Sequence, residues 1–383
     1  MVVIGLLVAL YIGVLLGRSV WQRMPVGWRP AVKAAAGYLV LSLFAIAFVG
    51  PFVWMLSTSL KTDSQVLTAE THWVPTVPTI RVHKKDENGL WQDVYQPIVL
   101  TKQSLAGTTG TPSDKSERSV VVLEEHEDGT SLVQEVQEGK LGVTGSVKSA
   151  ELHTSHGIAP QWHNYPDALT SFPFLRYTVN TLIICILTMI GTVLSAALPA
   201  YGFARLRWRG RDVLFVVLIA TIMLPPQVTM LPVFLIFRAL GWTGTMLPLI
   251  VPAFFGSAFY IFLLRQFFLT VPQELSDAAR MDGCSELGIL WRILVPIAKP
   301  ALATVALLSF TSAWMDFGGP LIYLHDERTY TLAIGLLAFL GRHNGEWNLL
   351  MSASMVMTVP MLVLFFFAQR TYIQGIALTG LKG

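Results

Sequence analysis

Val271-Pro272-Gln273-Glu274-Leu275-Ser276-Asp277-Ala278-Ala279-Arg280-Met281-Asp282-Gly283-Cys284 is a polar stretch set between long apolar blocks. Thr270 and Gln273 have capping-box spacing, and Pro272 suits a first helical turn. Gly283 can supply the left-handed residue that ends a helix. Leu275, Ala278 and Ala279 fall on one face at helical spacing. The spacing predicts a helix of about three turns with a small apolar face and acidic edges. A second amphipathic run follows, pairing Ile289 with Ile293 and Leu290 with Leu294, and Pro296 and Pro300 punctuate the return to apolar sequence. No residue here forms a catalytic pairing. A short exposed helix with alanines on one face suits docking into a partner's groove. On periodicity alone, an ordinary amphipathic helix lying on a membrane surface accounts for the pattern better.

The flanking blocks cover about 180–204, 213–237, 244–264, 300–320 and 349–369, with two more at 2–17 and 34–60. Blocks of about 20 apolar residues match the hydrocarbon thickness of a bilayer. Over the whole chain 53% of residues are hydrophobic and only 13% charged, half of what a soluble domain carries. The loops between blocks differ in charge. Arg205, Arg207, Arg209 and Arg211 crowd one loop, Arg280 and Arg292 lie in 265–299, and Arg370 and Lys382 lie in the tail. Lys and Arg bias short loops to the cytoplasm. These regions and the basic stretch 18–33 all fall on one side if the chain crosses seven times with its N-terminus outside. The net charge of +3 is the sum of unlike regions and points to no nucleic-acid partner.

Block 2–17 lacks a basic n-region and a small-residue cleavage site, so it reads poorly as a cleaved signal peptide. Residues 61–176 carry 10 Lys and Arg, 15 Asp and Glu and six of the eight histidines. Short β-like runs at Ser119–Leu123 and Ser131–Val136 flank Glu127-Asp128-Gly129-Thr130, and Asp-Gly between apolar runs is a hairpin signal. Glycine, serine and threonine at 104–116 favour a flexible piece. The expectation is a small β-rich or partly disordered insertion on the outer side.

The quoted loop resembles the cytoplasmic motif of binding-protein-dependent ABC transporter permeases, which runs Glu-Ala-Ala, Asp-Gly-Ala, then Ile-x-Leu-Pro. Asp277 to Cys284 matches the first two parts, with Asp277 for Glu and Cys284 for Ala. Ile293-Leu294-Val295-Pro296 matches the close, with Val295 where Leu is usual. The likeness continues in Ser59-Leu60-Lys61, Asn164-Tyr165, Asn180-Thr181, Tyr201-Gly202-Phe203-Ala204-Arg205, Arg209-Gly210-Arg211, Leu264-Arg265-Gln266-Phe267-Phe268 and Gly380-Leu381-Lys382-Gly383. It covers nearly all of 34–61 and 164–383. These points look like the carbohydrate-uptake branch, and specifically the smaller maltose-type permease subunit. Met315 stands where Asn often precedes Asp316 in that family.

The resemblance implies an all-α polytopic permease of the inner membrane. It would have about six core helices, an extra N-terminal helix and basic link at 1–33, a first core helix at 34–61, an extracytoplasmic insertion at 62–163 and a permease core at 164–383. Loop 265–299 would couple to a separate ATPase through Glu274, Leu275, Ser276, Asp277, Ala278, Ala279, Arg280, Asp282, Gly283 and Cys284. The implied partners are a second, different permease, two ATPase subunits, an extracytoplasmic solute-binding protein and membrane lipid. No cofactor is expected in this chain, and ATP would be used by the ATPases. No substrate contact follows, because in similar systems the partner permease can supply them all.

Other residues carry less. Pro225-Pro226-Gln227 interrupts a block and reads first as a structural break, although freed carbonyls at mid-membrane can line a pathway. Trp314 and Asp316 sit near the outer end of a block, where an acid is either a functional group or one that reaches interfacial water. Trp242 and Trp347 read as interfacial aromatics. His153, His156 and His163 show no metal-ligand framework, and Cys185 and Cys284 show neither metal spacing nor a promising disulfide. No GxxxxGK[ST] loop occurs, so the chain is not expected to hydrolyse ATP itself. Two rivals stand beside the importer: an ion-coupled carrier working alone, which would need several deep acids, and a membrane-anchored enzyme with its site in 62–163, for which no nucleophile–base pairing is present.

Overall fold

The computed structural model describes residues 29–62, 65–66, 73–76, 79–85, 91–101, 118–125, 129–137, 140–154, 158–342 and 346–380. Block 2–17, the helix expected there and the 104–116 stretch lie outside the described residues. Two compact units divide the chain at Thr58/Ser59.

The first unit holds helix α1 (Arg29–Ser59), all but its last residue, with Pro51 inside it. Arg29 and Lys33, expected in a link, are already helical, because the run Ala31 to Gly37 carries no residue that breaks the pattern until Pro51. Four helical stretches are long and apolar enough to cross a membrane: Gly37–Ser59, Phe174–Arg205, Leu247–Thr270 and Trp347–Gln369.

The second unit begins with a sheet. Strands β1 (Thr79–Lys85), β2 (Trp91–Thr101), β3 (Arg118–Glu125), β4 (Thr130–Gln137) and β5 (Lys140–Lys148) pair antiparallel in chain order, and β6 (His153–Thr154) pairs with β2. Alternation along β3, β4 and β5 buries Val120, Val133 and Val147 together, with Val99, Val122 and Leu152 against them. Side chains of a strand alternate between faces, so one valine of every two enters this core. Gly129 leads into β4 with φ 78°, the conformation that an Asp-Gly turn requires.

Both ends of the 62–163 segment meet. The Asn164 amide donates to the carbonyls of Ser59 (2.8 Å) and Lys61 (2.9 Å), and Ser352 Oγ donates to Ser59 O at 3.0 Å. Ser59 Oγ and Tyr165 Oη are 2.9 Å apart. These groups are buried or half-buried, where an unpaired backbone carbonyl would be costly. The Ser59-Leu60-Lys61 and Asn164-Tyr165 motifs are thus two halves of one knot.

The helical part comprises α2 (Asn164–Thr170), α3 (Phe174–Arg205), α4 (Arg211–Ile222), α5 (Pro226–Ala239), α6 (Leu247–Ile250), α7 (Ala258–Thr270), α8 (Gln273–Met281), α9 (Glu286–Ile289), α10 (Val295–Ile297), α11 (Lys299–Trp314), α12 (Gly318–Tyr323), α13 (Leu332–Arg342) and α14 (Trp347–Gly380). The apolar block at 213–237 is not one straight rod: α4 and α5 meet at 96°. Pro225 and Pro226 remove two backbone donors there, and Leu224, which precedes a proline, is pushed out of helical geometry. A second bend of 81° separates Glu286–Ile297 from α11, at Ala298 and just before Pro300. Counting each bent pair once gives six apolar crossings at most among the described residues.

Helix α3 is the axis of this unit. Its small residues Ala196, Ala197, Ala200 and Ala204 pack with Leu264 and Phe268 of α7 and with Ala301 and Val305 of α11. At its other end Tyr177 packs with Trp314, Leu332 and Ala353. There the Asn180 amide donates to the carbonyls of Arg328 and Tyr330, each at 2.9 Å, and Thr181 Oγ1 accepts from Leu332 N at 3.0 Å. Trp314, near the outer end of its block, is 2% exposed and belongs to this core.

Candidate functional site

The loop between α7 and α11 is built around α8. Val271 and Pro272 are extended, and the helix begins at Gln273. The capping box does not form. Thr270 Oγ1 instead donates back to Phe267 O at 2.7 Å, and Gln273 Oε1 accepts from Arg205 Nη1 at 2.9 Å. A neighbouring cation outcompetes the local cap.

The other end is a Schellman motif. Cys284 N donates to Ala279 O (2.9 Å) and Gly283 N to Arg280 O (3.0 Å), with Gly283 at φ 78°. These are the 6→1 and 5→2 bonds that close a helix through a left-handed residue. Ser285 then caps α9, accepting from Gly288 N at 3.2 Å. A π-turn at Leu290–Leu294 follows, and Ile289, Leu290 and Leu294 are all fully buried. One widened turn lets these three, which α-helical geometry would spread, enter the same core.

Two side chains from the end of α3 hold the loop. Arg205 is 5% exposed, and its Nη2 donates to the carbonyls of Phe268, at 2.6 Å, and Val271. These are the carbonyls left unpaired where α7 ends. Tyr201 Oη donates to Glu286 Oε2. Glu286 Oε1 in turn accepts from Arg280 Nε at 2.8 Å, and Arg280 Nη1 reaches Asp277 Oδ1 at 2.7 Å. The Glu286 carboxylate, through its hydrogen bond, raises Arg280 further above the ordinary guanidinium value. Arg265 adds an anchor, donating to Phe203 O at 3.2 Å with its guanidinium 3.9 Å above the Phe215 ring. A cavity of about 620 Å³ opens beside this network, lined by Arg205, Arg207, Trp208, Gln273 and Asp277 among others.

The ten expected coupling residues do not share one face. Ser276 and Ala279 are buried against this chain, at 0% and 8% exposure. Glu274, Leu275, Asp277, Ala278, Asp282 and Gly283 are exposed, Arg280 and Cys284 are half-buried, and Met281 is 89% exposed. The docking face expected at Leu275, Ala278 and Ala279 is therefore corrected. Ala279 packs inward within the core of α3 and α7, and the outward surface is Leu275, Ala278 and Met281. A short helix packed on its own bundle spends one stripe there, and Ser276 and Ala279 (i, i+3) are that stripe. Tyr201, Arg205 and Glu286 escaped the sequence reading as site residues. Tyr201 and Arg205 stood in the family-like stretch Tyr201–Arg205 at i, i+4 spacing, a signal that named neither their partners nor Glu286.

Sequence and fold comparisons accord with this geometry. The family described as binding-protein-dependent transport system inner membrane component matches residues 188–377. The arabinooligosaccharides transport system permease protein AraQ of Bacillus subtilis (strain 168) is 34% identical over 214 residues, 55% of this chain and 74% of that protein. The probable ABC transporter permease protein YurM of the same organism is 33% identical over 232 residues, 60% of this chain and 77% of that protein. In fold, the chain is similar to one in a bacterial ABC transporter involved in the import of the acidic polysaccharide alginate, with TM-score 0.59 and 18% identity over 91% of this chain and 98% of that one.

Proposed function

The chain belongs to the binding-protein-dependent transport system inner membrane components, the permease subunits of ABC importers, and from that premise we propose that it couples sugar passage to ATPase subunits through α8. It is a transport subunit and not an enzyme, and the ATPase of such importers is a separate subunit. A second permease completes the path, two ATPase subunits dock below the pair, one of them at α8, and a solute-binding protein delivers the substrate from outside. A sugar is the favoured cargo because relatives are named for oligosaccharide transport. The basic loops around Arg205–Arg211 and 265–299 face the cytoplasm, so the sheet of 79–154 lies outside the inner membrane.

One observation carries the coupling assignment. A helix closed by Gly283 presents Leu275, Ala278 and Met281 outward while Arg205, directly through Gln273, and Tyr201, through Glu286 and Arg280, tie it to α3. Force on the outward face passes to α3 through hydrogen bonds that include a charged donor, the stronger kind. Alternating access then follows from closure of the ATPases beneath. The test is co-purification with the ATPase and ATP hydrolysis stimulated by the loaded binding protein. Gly283→Val and Asp282→Ala are expected to lose stimulated hydrolysis and uptake while the chain stays inserted. Normal stimulation in both variants would remove α8 from the coupling path.

A further inference from the structure

Between α3, α7 and α11 lies a second cavity, of about 250 Å³. Thr181, Thr188 and Thr192 reach it from α3, spaced by 7 and 4 residues along one helical face. Ser309 and Ser312 reach it from α11, with Asp316 one turn beyond at the helix end, and Thr331 lines the same space. Among the described residues, no Lys, Arg or His lines it. Tyr260 supplies an aromatic wall. Thr331 is only 3% exposed, and its Oγ1 has no hydrogen-bond partner among the described residues. A buried hydroxyl left unpaired is unfavourable, and this one borders the cavity. Asp316 Oδ1 accepts from Gly319 N at 3.1 Å, which fixes the carboxylate at the rim.

We propose that this cavity is a subsite for one neutral sugar ring, contributed by this chain to the transport path. The proposal rests on the importer reading given above. The chemistry of the lining selects the ligand. Hydroxyl side chains both donate and accept, as sugar hydroxyls do, and a carboxylate accepts from the hydroxyls of a ring. A tyrosine ring offers an apolar surface to the C–H face of a pyranose. An anionic solute would meet Asp316 with no cation to balance it. Convergent polar groups in a concave pocket mark a small-molecule site, and here hydroxyls and one carboxylate make up most of the lining beside Ile184, Leu249, Ala313 and Pro320. The lining residues of α3 run from its N-terminal part to just past its middle, and those of α11 lie in its C-terminal part, the ends that the importer reading places toward the outside, where sugar arrives.

The test uses the complete complex in proteoliposomes, with binding protein, supplied with tritiated arabinotriose, maltotriose and raffinose. Sugar moved per ATP hydrolysed is measured for Asp316→Asn, Thr331→Val and Thr331→Ser, with retention of the ATPase as the folding control. The ratio is expected to fall about tenfold in Asp316→Asn and Thr331→Val, and to be restored in Thr331→Ser. An unchanged ratio in the first two would overturn the subsite and leave the importer reading standing. A loss confined to Asp316→Asn that follows external sodium or pH would make the cavity a cation site and equally overturn it. A wild-type complex that retains no ATPase, or moves none of the three sugars, would remove the reading on which the subsite rests and the subsite with it.

Discussion

Gly283 shows how a single residue sets the site. A Cβ there would meet no atom within 4 Å, so substitution costs backbone conformation and nothing else. A β-branched side chain in the left-handed region is strained by ~1–2 kcal/mol, whereas Asn visits that region readily. Gly283→Val is expected to lose most stimulated ATP hydrolysis in the reconstituted complex, and Gly283→Asn to keep most of it. Equal losses would put the defect in side-chain contact with the partner instead. Arg205 acts through reach. Its three acceptors lie 63, 66 and 68 residues away in sequence, and a lysine's single ammonium cannot span all three. Arg205→Lys is expected to lower the stability of the purified chain by roughly 2–3 kcal/mol, read as an earlier thermal transition in detergent. Gly283 was legible in the sequence because helix ends are written locally. Arg205 was not, since nothing within a few residues of it names its partners.

The faces of α8 were only half legible. Helical spacing groups Leu275, Ala278 and Ala279, but residues three and four apart straddle the boundary between two faces of a short helix. Which side meets the bundle is decided by Leu264, Phe268 and Ile289, which pack in the same core as Ala279. The two alanines should therefore part company. Ala279→Trp overfills a packed interior, a change that costs about 1–3 kcal/mol, and is expected to lower the melting temperature of the isolated chain. Ala278→Trp is expected to leave that temperature unchanged and abolish ATPase pull-down. The reverse pattern would mean that α8 presents its other side. The capping box failed for a similar reason, because Gln273 answers Arg205 in place of a backbone amide. The bends at Leu224–Pro226 and near Ala298, by contrast, stand at prolines that any reading of the chain would mark.

At the scale of the molecule, the paired motifs explain how a long segment sits between core helices. Asn164 binds the carbonyls of Ser59 and Lys61, so the ends of 62–163 are fixed at one point independently of what lies between. Replacing residues 79–154 with a short Gly/Ser linker is expected to leave insertion and ATPase pull-down unchanged, checked by membrane fractionation and affinity capture. Loss of both would make the sheet part of the folding core. The motif pieces were legible as a pattern, while their joining required a fold that brings together residues more than a hundred apart.

The central claim is that α8 meets an ATPase, and not the lipid surface on which an amphipathic helix could equally lie. Met281 is the residue to ask, being 89% exposed on the outward face. Met281→p-benzoylphenylalanine, irradiated in native membranes containing the whole complex, reports its neighbour directly. The expected result is a covalent adduct with the ATPase subunit that weakens when ATP is withheld. An adduct with lipid alone, in membranes where the ATPase is present, would contradict it.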